Sequence, residues 1–189
     1  PKVGLPTWGE MKKVKPGQGR YYGMVKCIDD NVGRILENLE ENGLLENTVV
    51  IFTSDHGDLR GEHGRENKSA PYEGSAKIPF VIRWPEKIKA GKVSNEIQDH
   101  TDLFTTLAAA AGADQVASDL EKSHQVYIDG VNNLAHWTGE APSARNFEIY
   151  YNESELTAVR IGPWKSHLAQ REGFFDYKRP SALLFNLRQ

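Results

Sequence analysis

Beyond a polar lead punctuated by Pro6, Gly9, Pro16, Gly17 and Gly19, apolar side chains recur at three- and four-residue steps: Tyr21, Val25, Ile28, Val32, Ile35, Leu36 and Leu39. Asp29, Asp30, Arg34, Glu37, Glu40 and Glu41 fill the positions between them, which predicts an amphipathic helix stopped at Gly43. At residues 48–53 the period changes to an unbroken β-branched and aromatic run, Thr-Val-Val-Ile-Phe-Thr. It is too short for a helix and apolar on both faces, as a buried parallel strand is. Helix, short turn and buried strand make half of an α/β unit. A second buried-type run over 78–84 closes at Pro85, and a helix with an acidic start and an Ala-rich body is expected from 99 or 101 to 111, ended by Gly112. Residues 113–145 read as loop with short helical pieces. Short β-type segments at 147–151, 157–161, 166–168 and 183–185, separated by Asn, Gly and Pro, predict a small antiparallel sheet in a C-terminal subdomain.

Composition narrows the partners. The 189 residues carry 23 basic and 26 acidic side chains, a net charge of −3, with 39% hydrophobic and 26% charged residues. That is enough apolar surface for a core and excludes wholesale disorder. No sustained Lys/Arg block is present, so neither nucleic acid nor an anionic membrane surface is an expected partner. The longest apolar stretches, around 48–52 and 107–111, fall far short of the roughly 18–20 residues of a membrane span. The single cysteine, Cys27, excludes an intrachain disulfide and, lying mid-helix, reads as a buried or partly buried thiol. The chain opens on Pro1 without an apolar leader, and is expected to continue a longer polypeptide.

In open α/β sheets ligands gather beyond the carboxyl ends of the strands, where loops converge without disturbing the ladder. Asp55 and His56 fall there, within Ser54-Asp55-His56-Gly57. Asp55 offers a hard anionic oxygen to a divalent cation, His56 a neutral nitrogen, and Gly57 a sharp exit for the chain. The plainer alternative is a capping Asp beside a hydrogen-bonded His. The loop continues through Gly61-Glu62-His63-Gly64, Lys68, Tyr72-Glu73-Gly74-Ser75 and Lys77-Ile78-Pro79.

This ordered series resembles the sulfatase family of the alkaline-phosphatase-like superfamily. The similarity extends upstream through Tyr21-Tyr22-Gly23-Met24-Val25 and Val32-Gly33-Arg34-Ile35-Leu36, and downstream through Asp102-Leu103-Phe104-Thr105-Thr106-Leu107 and Asp129-Gly130-Val131. The resemblance implies an α/β fold in two parts. Residues 1–112 would be the C-terminal part of the catalytic domain, with half of the metal and sulfate site. Residues 113–189 would be a connecting segment and a small antiparallel α+β subdomain. It further implies that Asp55 and His56 are half of a calcium or magnesium site and that Lys68 contacts the sulfate group. The substrate would be a sulfated small molecule or sulfated carbohydrate, in a periplasmic, secreted or lysosome-like setting. A sulfate ester has no proton to lose, so a divalent cation and an ammonium are suited to neutralising its oxygens as the S–O bond breaks. His63 is a candidate proton donor to the leaving oxygen. Tyr72 and Glu73 are expected to shape the loop, and Lys77 stands where the family usually has Arg. Of the other histidines, His100, His124 and His136 read as surface or locally bonded, whereas His167 is a candidate substrate contact from a loop over the cleft. Trp164, Phe174, Phe175 and Tyr177 read as subdomain core.

The family's nucleophile is a formylglycine made from Cys or Ser in a Cys/Ser-x-Pro/Ala-x-Arg motif. Cys27 is followed by Ile28-Asp29-Asp30-Asn31, and Ser69-Ala70-Pro71-Tyr72 by Glu73 rather than Arg, so neither fits. The formylglycine and the paired aspartates that complete the cation site are therefore expected in an N-terminal part of the same enzyme, without which this chain should be inactive. Two rival readings remain: a phosphodiesterase or phosphonate monoester hydrolase of the same superfamily, and a non-catalytic binding domain with a decayed site.

Overall fold

A computed structural model describes residues 18–171, 177–178 and 183–188. Its helices and strands divide between two compact units. The first takes the residues up to Phe52 together with Val81–Glu86. It holds α1 (Gln18–Glu41), a single helical turn at Leu45–Asn47, and most of strands β1 (Val50–Thr53) and β2 (Phe80–Arg83), which pair as a two-stranded sheet. Gly43 ends α1 in the left-handed region at φ 66°, where a residue without Cβ costs least, and its N–H bonds to the Glu40 carbonyl at 2.9 Å. Arg83 ties β2 to the turn, donating to the Leu45 carbonyl at 2.8 Å and to Glu46 Oε1 at 2.6 Å.

The apolar residues of this unit form the expected elements but remain at the surface. Ile28 is 54% exposed, Ile35 59%, Phe52 41% and Val81 61%. The strand pair has no third strand beside it among the described residues, so neither face gains the burial that its composition suits. Cys27 corrects the expectation of a buried thiol. It is exposed, because the whole helix surface around it is, and Asn31 donates to its carbonyl at 2.7 Å.

The second unit, Thr53–Phe80 with the chain from Lys87 onward, contains every buried apolar side chain among the described residues: Leu59, Ile97, Ala109, Trp137, Ala158 and Ala169. It comprises α2 (Glu73–Ala76), α3 (Asp102–Ala110), α4 (Val116–His124), α5 (Leu134–Thr138) and strands β3 (Phe147–Asn152), β4 (Glu155–Ile161), β5 (Trp164–His167), β6 (Gln170–Arg171), β7 (Tyr177–Lys178) and β8 (Leu183–Asn186). The helix predicted to run to 111 ends at Ala110, one residue before its cap and two before Gly112 at φ 92°.

At the base of α3 the carboxylate of Asp102, 1% exposed, collects donors from distant parts of the chain. Arg145 grips it through Nε at 2.9 Å and Nη2 at 2.6 Å, while the backbone N–H groups of Val131 and Asp99 and the Asn133 amide also donate to it. Gly130 passes so close to the Thr101 carbonyl that any Cβ there would collide with it. A buried carboxylate is tolerated only when saturated in this way.

The predicted C-terminal sheet is antiparallel, in the order β3-β4-β5-β8. Its two faces reverse the usual assignment of polar and apolar residues. Glu148, Arg160, Lys165 and Phe185 lie in one cross-strand row and Tyr150, Ala158, His167 and Leu183 in the next, all on the face turned towards the protein. The opposite face carries Phe147, Ile149, Ile161, Trp164 and Leu184, each at least 41% exposed. Trp164, expected in the subdomain core, is 50% exposed because strand alternation puts its neighbours Lys165 and His167 inside. Phe174 and Phe175 lie outside the described residues.

Candidate functional site

β1 delivers the chain to Ser54, and the next three residues are fixed by short-range bonds. Ser54 Oγ donates to the His56 carbonyl at 2.7 Å, and the His56 N–H donates to Asp55 Oδ1 at 3.0 Å. The Gly57 N–H bonds to the Ser75 carbonyl at 2.8 Å, and a Cβ at Gly57 would strike the Gly74 carbonyl oxygen. Only glycine lets the segment after His56 lie against α2.

The imidazole of His56 is oriented by its own neighbour. Nδ1 lies 2.7 Å from the Gly57 carbonyl, an acceptor, so Nδ1 carries the proton and Nε2 presents a lone pair. That lone pair faces the Lys68 ammonium at 2.6 Å and lies 3.4 Å from Asp55 Oδ2. The Asp55 side chain is 84% exposed and that of His56 37%. Asp55, His56 and Lys68, chosen from sequence across thirteen positions, thus converge on one point.

Lys68 returns to the strand end because the loop folds back on itself. The Leu59 N–H bonds to the Asn67 carbonyl at 2.8 Å, and Leu59, 1% exposed, anchors the loop beneath. Six non-glycine residues among those described have positive φ, and four of them, Arg60, His63, Asn67 and Ser69, lie in this loop. Asn67 and Ser69 flank Lys68 directly. Such conformations cost free energy and concentrate where a loop must hold a side chain in a required place.

His63 and His167 join the loop to the C-terminal sheet through Tyr72. The His63 ring stacks on Tyr72 with centroids 4.0 Å apart at 18°. Tyr72 meets His167 edge-on at 4.9 Å, and His167 leans on Phe185 at 4.8 Å. His167 is 2% exposed, so it reaches the loop through Tyr72 and offers no open surface of its own. An imidazole N–H bonds to the Pro71 carbonyl while Nδ1 is buried without a partner. Burial foremost, then the charges of Lys165 and His63, push the pKa of His167 down to about 4, so the ring is neutral at ordinary pH.

A second brace holds α2. Lys165 is 1% exposed, donates to Glu73 Oε1 at 2.9 Å and lies 3.8 Å from the centre of the Tyr150 ring. Burial lowers its pKa, and the Glu73 carboxylate opposes that shift. Glu73 and Tyr72 therefore shape the loop as expected, but Lys165, the partner of Glu73 across the fold, was not foreseen. The signal was present in the alternation along these strands, where Glu148, Arg160 and Lys165 share one face. Between this brace and the loop lies a cavity of about 170 Å³ lined by Ser69, Pro71, Ser75, Tyr150, Asn152 and Thr157.

The Asp55 oxygen suits a hard divalent cation, whereas the His56 nitrogen is a softer donor, more usual for zinc or iron than for calcium. An anionic oxygen and an imidazole lone pair 3.4 Å apart can both reach one ion at the 2.0–2.6 Å typical of such bonds. They are two donors, and no group of three or more His, Cys, Asp or Glu that could hold a metal occurs among the described residues.

An α/β chain with a carboxylate, an imidazole and a lysine gathered at a strand's end, followed by a small antiparallel sheet, has the alkaline-phosphatase-like architecture. The family model for Sulfatase matches residues 12–113, more than half of the chain, and the chain belongs to the sulfatase family. It is 41% identical over 138 residues to the N-acetylglucosamine-6-O-sulfatase of Bacteroides thetaiotaomicron, covering 73% of this chain and 24% of that protein. Among solved structures it resembles a protein determined in complex with its substrate D-glucosamine-2-N,6-O-disulfate (27% identity, TM-score 0.66, 87% of this chain and 32% of that one). It also resembles the phosphonate monoester hydrolase of Agrobacterium radiobacter (25% identity, TM-score 0.65, 89% and 34%). The chain spans 21–29% of the length of the curated relatives it matches.

Proposed function

We propose that this chain supplies one side of the active site of a sulfatase that hydrolyses sulfate esters of carbohydrates. The observation that carries this reading is the Lys68 ammonium, 2.6 Å from His56 Nε2, which in turn lies 3.4 Å from Asp55 Oδ2, in a loop with four non-glycine residues at positive φ. Asp55 Oδ2 and His56 Nε2 would hold a calcium or magnesium ion once the Lys68 ammonium, which here meets the Nε2 lone pair, turns to the substrate sulfate, and Gly57 keeps His56 in the tautomer that can do so. When bound, that ion would draw charge from the sulfate oxygens, and a formylglycine outside these 189 residues, expected in an N-terminal part of the enzyme, would supply the nucleophile. Lys68 neutralises a second sulfate oxygen as the S–O bond lengthens. His63, stacked on Tyr72, would give a proton to the leaving oxygen. His167 and Lys165 position Tyr72 and Glu73 beneath that loop. A carbohydrate substrate is supported by the names of the two sulfate-related relatives above.

The likeness to a phosphonate monoester hydrolase keeps one rival in play. Turnover of paired aryl sulfate and aryl phosphonate substrates by the intact protein decides between them. The sulfate ester should be the faster substrate by at least about tenfold, about 1.4 kcal/mol in barrier. A faster phosphonate would replace the sulfatase reading with the rival.

A further inference from the structure

Elsewhere in the second unit, the segment before α3, α5 and the loop after it bring together a serine, a histidine and a glutamate. Ser94 Oγ lies 3.1 Å from His136 Nε2. On the other side of the ring, His136 Nδ1 faces the Ala141 carbonyl at 3.3 Å and Glu96 Oε2 at 3.6 Å. Both of those groups are acceptors, so Nδ1 carries the proton and the Nε2 lone pair is left to accept the Ser94 hydroxyl. The Ala141 carbonyl fixes the tautomer in which the histidine can act as base towards a serine, and the Glu96 carboxylate, beyond hydrogen-bond length, steadies the ring by its charge.

The surroundings keep the three groups in place and leave the serine open. His136 is 7% exposed, whereas Ser94 is exposed. Lys92 Nζ donates to the His136 carbonyl at 3.0 Å, tying the Ser94 segment to α5. Glu96 Oε2 also accepts the Ser143 N–H, which fixes the carboxylate beside the ring. The Glu96 N–H donates to Ser94 Oγ at 3.2 Å, holding the hydroxyl oxygen beside the imidazole.

We propose that Ser94 is an activated nucleophile, with His136 as its base and Glu96 as the orienting carboxylate, that accepts acyl groups from small carboxylic esters. Ser94 Oγ bonds to the ester carbonyl carbon as its proton passes to His136 Nε2. The bond from that carbon to the alcohol oxygen then breaks, and the proton on Nε2 goes to the departing alkoxide. The acyl group is left on Ser94; water then bonds to the acyl carbon as its proton passes to Nε2, the bond from that carbon to Oγ breaks, and the proton on Nε2 returns to Oγ as the carboxylic acid leaves. This activity neither uses nor requires Asp55, His56 or Lys68.

A fluorophosphonate probe reports the same nucleophile by forming an Oγ–P bond and expelling fluoride. The intact protein is treated with the probe, and labelled peptides are quantified by mass spectrometry beside hydrolysis of p-nitrophenyl acetate. Ser94 should label at least about 100-fold faster than the other exposed serines, with a similar loss in His136→Gln and at least about a tenfold loss in Glu96→Gln. Ser94→Ala should lose labelling and ester hydrolysis and keep any aryl sulfate hydrolysis. Labelling spread evenly over exposed serines overturns the proposal. So does a Glu96→Gln protein that labels at the wild-type rate, a test that stands even if the buried His136 variant does not fold.

Discussion

Around Asp102, Arg145 Nε and Nη2, two backbone N–H groups and the Asn133 amide converge on a carboxylate that is 1% exposed. Around Asp55, one backbone N–H is accepted by a carboxylate whose side chain is 84% exposed, with Lys68 held through His56 rather than on Asp55 itself. Both are acidic groups near a cation in one compact unit. The first is closed: each oxygen is used, and it can do no more than hold α3 against the segments at 129–133 and 145. The second is open, with a free carboxylate oxygen and a lysine that ends on a lone pair. Charges that serve folding are saturated by the chain, and charges left incomplete are available to a ligand.

The contrast is sharpest when the same type of change is made in each. Arg145→Met should leave a buried, unpaired Asp102 and cost about 3–5 kcal/mol of stability, measured by urea unfolding; a loss below about 1 kcal/mol would mean that the network is not what holds α3. Lys68→Ala should shift stability by less than about 0.5 kcal/mol. In the intact enzyme it should lower kcat/KM for a sulfate ester by about 100- to 1000-fold. Unchanged turnover would remove Lys68 from the site.

A subtler test uses two groups on the inner face of the sheet. Burial, helped by the Asp99 charge and opposed by Arg145, pushes the Glu148 carboxyl up from 4.5 to about 7, while His167 is pushed down from 6.5 to about 4. Between pH 4.5 and 6.5 the folded protein keeps a proton on Glu148 that the unfolded chain releases, so this group makes stability fall as pH rises. Over the same range the unfolded chain binds a proton at residue 167 that the folded protein refuses, so His167 makes stability rise. The two slopes, each at most about 1.4 kcal/mol per pH unit, oppose one another. Glu148→Gln should therefore tilt the stability–pH curve upward across this window and His167→Gln downward, as followed by thermal melts at several pH values. Two variants tilting the same way would contradict the burial assigned to one of them.

Much of this architecture was legible in the chain. The three-to-four periodicity of residues 21–39 became α1, and the β-branched run became β1, because spacing and branching act locally. The convergence of Asp55, His56 and Lys68 was legible only through the resemblance of its motif series to the sulfatase family; spacing alone leaves it open, since thirteen residues can span about 40 Å when extended. The fate of single side chains was less so. Cys27 is exposed, Trp164 faces outward, and His167 is buried under Tyr72 instead of overhanging a cleft.

What the order of residues determined by itself was the main helices and strands and the glycine stops at Gly43 and Gly112, because turns and periods depend on neighbours within a few bonds. Only the tertiary structure decided that Asp102 meets Arg145 from 43 positions away, that Lys165 lies under Tyr150 against Glu73, and that Ser94 and Glu96 flank His136. Those pairings arise when separate segments exclude water together. The cost of burying a charge or a lone pair then depends on which partner the fold brings to it, a quantity that no local pattern contains.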